Sequence, residues 1–332
     1  MTQACPVQSG SAGALGIDLG AHLDQFADLP SGIRICFRDL PPRPGVTPHP
    51  VPVVLVGGLS LEQSFWPRGF LDRLAEGGLR VITLDNRDAG RSTHLEEQQR
   101  ATKLQLLRAR PPQGAYTIED MAEDVVGLLD HLDLDQVHLV GMSMGGMISQ
   151  TVASTHPFRV LSLTSIFSTT GNPKVGQPAR STLLRLARRA PRNEMEHVAA
   201  HLGMTQHLAG WAFRPDVEQE VVVALRNWRR GAGLGNSAAT QRQISAIQAS
   251  GDRTASLGRI TAPTLVVHGD RDPMVAPSGG RATHDAIPGS TLEDIPGMGH
   301  HIGPEVDREL AILVEHHAFA AWHREQMAAL KE

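Results

Sequence analysis

The chain has 332 residues, 41% of them hydrophobic and 20% charged, enough for one large globular domain or a core domain carrying a smaller insertion. Its 31 basic and 35 acidic side chains nearly cancel at a net charge of −4, leaving no single-sign surplus to attract nucleic acid or an anionic membrane. Cys5 and Cys36 are too few for a disulfide framework and have no histidines at zinc-like spacing, which points to a reduced, cytoplasmic setting.

Residues 1–30 lack a basic start and a long apolar run, so they read as an N-terminal extension rather than a secretory leader. Nowhere does the sequence approach the roughly 18–20 consecutive apolar residues that span a bilayer. From there short apolar runs recur: Val51–Val56, Leu79–Leu84, Val137–Val140, Leu161–Phe167, Thr264–His268 and Thr291–Ile295. Runs this short and rich in β-branched residues predict strands buried on both faces, as in a parallel sheet.

Helical patterns alternate with them. Thr117 followed by Asp120 three residues on predicts a capping box. It opens a segment whose Met121, Val125, Leu128, Leu129 and Leu132 fall at helical spacing. Gly145–Ser154 and Glu305–Met327 predict further helices. The alternation predicts an α/β fold, a doubly wound and mostly parallel sheet built from residues 31–167 and 259–332. Residues 168–258 interrupt it without a convincing buried strand and predict a helical cap insertion. Its Arg180, Arg185, Arg188, Arg189 and Arg192 read as a solvated helix face. Gly231–Gly235 follows no strand and reads as a turn rather than a phosphate loop.

The strongest local pattern is Gly141-Met142-Ser143-Met144-Gly145, set directly after an apolar strand and before a helix. A sharp strand-to-helix turn exposes the serine hydroxyl above the sheet, and the Met144 N–H at the helix start suits a developing anion. A serine nucleophile needs a base, and the base an orienting acid, in the chain order Ser, acid, His. Asp272 follows the strand ending at His268, and His300 follows the one ending at Ile295 in a loop of small residues. Asp270 is the alternative acid and His301 the alternative base. A His300–His301 metal pair is disfavoured, because adjacent residues rarely point at one ion and no carboxylate cluster accompanies them. Gly57-Gly58-Leu59-Ser60 follows an early strand, which makes the Leu59 N–H the candidate partner of Met144 in an oxyanion hole. Gly58, Trp66, Met142, Trp211 and Met298 are candidate substrate contacts, with Phe213 and Trp228 as further aromatics from the insertion.

With these residues in view, the sequence resembles the α/β-hydrolase superfamily from about Ile33 to Phe319. Asp85-Asn86-Arg87-Asp88-Ala89-Gly90-Arg91-Ser92-Thr93 resembles the segment after the fourth strand in aclacinomycin methylesterase-like enzymes. Gly57 to Trp66 is similar to the oxyanion loop of bacterial arylesterases and cofactor-free haloperoxidases. Two departures stand out: Gly57 replaces a customary histidine, and the His-Gly-Gly-Pro-Gly loop of proline iminopeptidases is absent. The resemblance implies a cofactor-free, metal-free serine hydrolase acting on a small-molecule ester, with no nucleic-acid or membrane partner; whether it forms a homo-oligomer stays open. Perhydrolysis or halogenation, lactone opening, carbon–carbon bond hydrolysis and a slow-turnover receptor share the same machinery. Epoxide hydrolases and haloalkane dehalogenases carry aspartate where this chain has Ser143.

Overall fold

The computed structural model describes residues 23–232 and 237–330. Most of the expected N-terminal extension, and part of the Gly231–Gly235 turn, lie outside the described residues. In chain order the elements are β1 (Gln25–Asp28), β2 (Arg34–Leu40), β3 (Val53–Val56), α1 (Arg68–Glu76), β4 (Val81–Leu84), α2 (Lys103–Leu107), α3 (Ile118–His131), β5 (Val137–Met142), α4 (Met144–Thr155) and β6 (Val160–Ile166). The chain then runs through α5 (Arg180–Leu186), α6 (Glu194–Leu208), α7 (Val217–Asn227), a π-helical turn (Trp228–Ala232), α8 (Ser237–Ser250) and α9 (Thr254–Leu257). It returns to β7 (Thr264–Gly269), α10 (Ser278–Ala286), β8 (Thr291–Ile295) and α11 (Val306–Ala329).

One sheet orders the strands β1-β2-β4-β3-β5-β6-β7-β8. The six strands from β3 to β8 pair in parallel, and β2 and β1 add an antiparallel edge. Strands β3 to β7 are buried along their whole length, which is why each reads as a mainly apolar run. The antiparallel edge is different. Gln25-Phe26-Ala27-Asp28 and Arg34–Leu40 mix polar and apolar residues: β1 is the exposed outer strand, and β2 is fully buried only at Ile35, Cys36 and Phe37. That pattern carries no apolar run, so the sheet begins at Gln25 rather than past an extension ending at residue 30.

Period-two alternation splits the core between the two faces. Val54 and Val56 join Met121, Val125, Leu128 and Leu129 of α3 and Ile148 and Val152 of α4. Val53 and Leu55 join Phe70 and Leu74 of α1 and Leu310 and Val314 of α11. Helix α3 begins where the sequence places it: Thr117 Oγ1 accepts the Asp120 N–H while the Asp120 carboxylate accepts the Thr117 N–H. No described helix is long and apolar enough to cross a membrane.

Candidate active site

Four loops at the carboxyl ends of β3, β5, β7 and β8 meet at one point. This is the crevice where open α/β sheets bind ligands, because the helices that follow start there. Ser143 occupies the turn between β5 and α4 with φ 54° and ψ −120°, a conformation that costs a side-chain-bearing residue roughly 1–3 kcal/mol. Gly145 makes the turn feasible, since a Cβ there would collide with the Val56 and Gly57 carbonyls.

Ser143 Oγ lies 3.0 Å from His300 Nε2, and His300 Nδ1 lies 2.7 Å from Asp272 Oδ2. With its Nδ1–H donated to the carboxylate, the imidazole leaves Nε2 free to accept the serine proton. Asp272 is itself fixed, because Oδ1 accepts the N–H groups of Met274 and Val275 at 2.8 Å each. Burial pushes its carboxyl up, but His300 and a hydrogen bond from His268 outweigh that and bring it down to about 2. Phe167 covers the imidazole with ring centroids 4.4 Å apart. The alternatives sit elsewhere. Asp270 accepts the Gly297 N–H at 2.6 Å and so shapes the histidine loop, while His301 Nε2 lies 3.2 Å from Glu220.

The His300 loop is gripped by the segment between β6 and β7. His300 N–H donates to the Leu208 carbonyl at 2.6 Å and Gly299 N–H to Ala209 at 3.1 Å, and Gly210 bridges Met298. On the opposite side of Ser143, Gly58 comes so close that a Cβ there would lie 3.2 Å from the serine Cβ. Beside it the Leu59 N–H finds no acceptor among the described residues. Met144 opens α4, so its N–H has no helical carbonyl to bond. Asn86 Nδ2 donates to the Gly57 carbonyl at 3.0 Å and steadies the loop from behind.

Ser143 and His300 open onto a cavity of about 1240 Å³ whose walls include Leu59, Phe65, Trp66, Met142 and Phe167. Trp66 and Met142 therefore stand where a substrate contact is expected. Three others do not. Gly58 supports the cavity floor without lining it, and Met298 is fully buried in the core because its backbone bridges Gly210. Trp211 is 66% exposed and lies over Gly297, outside the cavity. Phe213 and Trp228 also stay off the wall: one packs on the core and the other on His197.

The cavity also holds a polar group that the sequence did not flag. Glu220 Oε2 lies 2.6 Å from His201 Nε2, and Glu220 Oε1 faces His301. Burial pushes this carboxyl up, yet the two imidazoles bring it down to about 2. His201 is on α6 and Glu220 on α7, so neither spacing nor motif connects them. Among the described residues, no group of three His, Cys, Asp or Glu side chains is arranged to hold a metal ion.

Residues 51–305 match the alpha/beta hydrolase fold family, and the chain belongs to that family. It is 28% identical over 297 residues to the rhodomycin D methylesterase of Streptomyces sp. (strain C5), covering 82% of this chain and 93% of that one. It is 29% identical over 184 residues to 3-oxoadipate enol-lactonase 2 of Acinetobacter baylyi, covering 55% and 64%. Among solved structures, the enol-lactonase from Burkholderia xenovorans LB400 superposes with a TM-score of 0.64 at 23% identity, covering 88% and 99%. The chain is a hydrolase of this family.

Proposed function

We propose that the protein cleaves carboxylic esters through an acyl-enzyme, with Ser143 as nucleophile, His300 as base and Asp272 as the acid that orients it. The observation that carries this reading is the pair of contacts at 3.0 Å and 2.7 Å on opposite nitrogens of one imidazole. Ser143 attacks the ester carbonyl as His300 takes its proton, and Asp272 stabilises the imidazolium. The N–H groups of Leu59 and Met144 receive the negative charge of the tetrahedral oxygen. His300 then protonates the leaving alcohol and activates water for deacylation. No step requires a metal or organic cofactor.

The substrate is bulky and mainly apolar. The cavity, about 1240 Å³, exceeds the roughly 300–1000 Å³ of typical ligand sites, and beside Ser143 its wall is apolar, with Leu59, Trp66, Met142 and Phe167. Helices α5 to α8 roof it as a cap and set its shape. Similarity to a rhodomycin D methylesterase supports a methyl ester as the group cleaved. Similarity to an enol-lactonase supports lactone opening as the second reading, which uses the same residues with a tethered leaving group.

A panel of p-nitrophenyl acetate, butyrate and octanoate, bulky aromatic methyl esters and lactones tests both. Longer and bulkier esters are expected to be cleaved with higher kcat/KM than acetate. Ser143→Ala is expected to lower kcat by a factor on the order of 10⁶, as loss of a serine nucleophile does elsewhere. A Ser143→Ala protein that kept its activity would refute the mechanism, and lactones outpacing every ester would favour the second reading.

A further inference from the structure

The loop that carries Leu59 is not self-supporting. Ser60, the next residue, has φ 58°, a left-handed conformation that side-chain-bearing residues seldom adopt. Its N–H belongs to the peptide unit joining it to Leu59 and points away from the sheet toward α8. There it donates to Gln243 Oε1 at 2.7 Å. One helical turn earlier, Thr240 Oγ1 meets Ser60 Oγ at 2.6 Å, so two residues on one face of α8 hold the same loop residue.

Gln243 is fully buried, and its amide can sit only one way. Oε1 faces an N–H while Nε2 donates to the Arg87 carbonyl at 2.8 Å, so both ends are satisfied and neither can rotate without loss. Two residues further along the loop, Glu62 accepts Arg230 Nε at 2.7 Å. Arg230 comes from the π-helical turn of the same inserted segment and also reaches Asp24 and Asp85. Thr240, Gln243 and Arg230 thus all lie between β6 and β7, and all grip the loop after β3.

We infer that Gln243 is a positioning residue for the oxyanion hole: by fixing the Leu59–Ser60 peptide it aims the Leu59 N–H at the site above Ser143. The inserted helical segment therefore completes the hole as well as covering the cavity. Without the Gln243 acceptor, the part-buried Ser60 N–H loses its protein partner, and the peptide is free to turn toward another. The Leu59 N–H turns with the neighbouring chain. This inference rests on the serine-hydrolase reading above.

The test is the rate at which a fluorophosphonate labels Ser143, because the phosphoryl oxygen needs the same donors as an ester oxyanion. Gln243→Leu is expected to slow labelling by about tenfold to a hundredfold, less than the roughly 100- to 1000-fold lost when a donor is deleted outright. Gln243→Asn, which keeps a polar amide at this position but is one methylene too short to reach both Ser60 and Arg87, is expected to fall in the same direction. Gln243→Glu keeps the acceptor for Ser60 and is expected between parent and Gln243→Leu. On the preferred ester, kcat is expected to fall with labelling while KM changes by less than about threefold, the pattern of an interaction made only in the transition state. The pH midpoint of kcat is expected to stay in place, because His300 and Asp272 are untouched. Gln243→Leu and Gln243→Asn proteins labelled at the parental rate would overturn the inference while leaving the hydrolase reading intact. A parent protein that is not labelled at Ser143 would overturn both.

Discussion

His268 Nε2 stands 3.4 Å from Asp272 Oδ2, the same oxygen that meets His300. The same Nε2 lies 2.8 Å from the Val275 carbonyl, so one nitrogen of a fully buried ring meets both groups. Asp272 therefore sits between two imidazoles and two backbone N–H groups, and it remains ionised despite burial.

Asp272→Asn is expected to lower kcat by about 10³- to 10⁴-fold, because an amide cannot hold the imidazole in the tautomer that accepts from Ser143. The acid also stabilises the fold. Its carboxyl is lowered to about 2 in the folded protein, so its contribution is full above the ordinary carboxylate range and is lost as pH falls toward 2. Urea unfolding of the parent should weaken through that window, and the Asp272→Asn variant should lose this part of the acid dependence. Equal slopes in both proteins would exclude the ionised Asp272 carboxylate as a source of stability.

Ser143→Gly should make the opposite trade. Glycine adopts positive φ without a Cβ penalty, so releasing the strained turn is expected to stabilise the fold by about 1 kcal/mol while abolishing hydrolysis. Thermal unfolding measures it. A lower Tm for Ser143→Gly than for Ser143→Ala would mean that the turn is not strained.

Glu62 behaves unlike Asp272. Burial and the neighbouring Asp85 push its carboxyl up to about 7, against the pull of Arg230. A carboxyl raised on folding contributes stability that is full below its unfolded value and is lost as pH rises through about 7. Glu62→Gln keeps an acceptor for Arg230 and removes the ionisation, so it is expected to stabilise the fold at pH 8 relative to parent and to differ little at pH 4. Stability curves of the two proteins that run parallel from pH 4 to 8 would refute this.

Glu220 joins α6, α7 and the residue next to His300 through His201 and His301. Its carboxyl is lowered to about 2, so its contribution is present above the ordinary glutamate range and is lost as pH falls through about 2. Glu220→Gln is expected to cost about 1–3 kcal/mol at pH 7, since partly buried imidazoles lose their anion. The difference should shrink near pH 2. Denaturant titrations at the two pH values check it.

Most of the sheet and the Ser143–Asp272–His300 grouping were legible because each residue lies in the turn or loop that follows a strand. A buried strand announces itself as an apolar run, and the turn after it has few conformations to choose from. The antiparallel strands β1 and β2 gave no such run: β1 is the outer strand, and in β2 only Ile35, Cys36 and Phe37 are buried between polar neighbours. Within the insertion, legibility ended for another reason. Helical periodicity says which face is buried but not what it meets, so nothing in the sequence singled out Glu220, Gln243 and Arg230. Trp211 looked like a wall of the cavity, yet the bridge between Gly210 and Met298 turns it outward over Gly297. Aromatic character marked it, and only the packing of distant segments decides where such a ring points.

The hydrogen bonds that Thr240 and Gln243 make to Ser60 and Arg87 also bear on redesign. Hydrolases of this fold invite the exchange of the segment between β6 and β7 as a cassette, to graft a new substrate range onto an unchanged catalytic platform. Here the seam is not neutral. A foreign cassette would arrive without the side chains that Ser60 and Arg87 require, and a chimaera lacking them would bind its new substrate and turn it over poorly. Transplanting positions 60, 87, 240 and 243 as one set keeps both halves compatible.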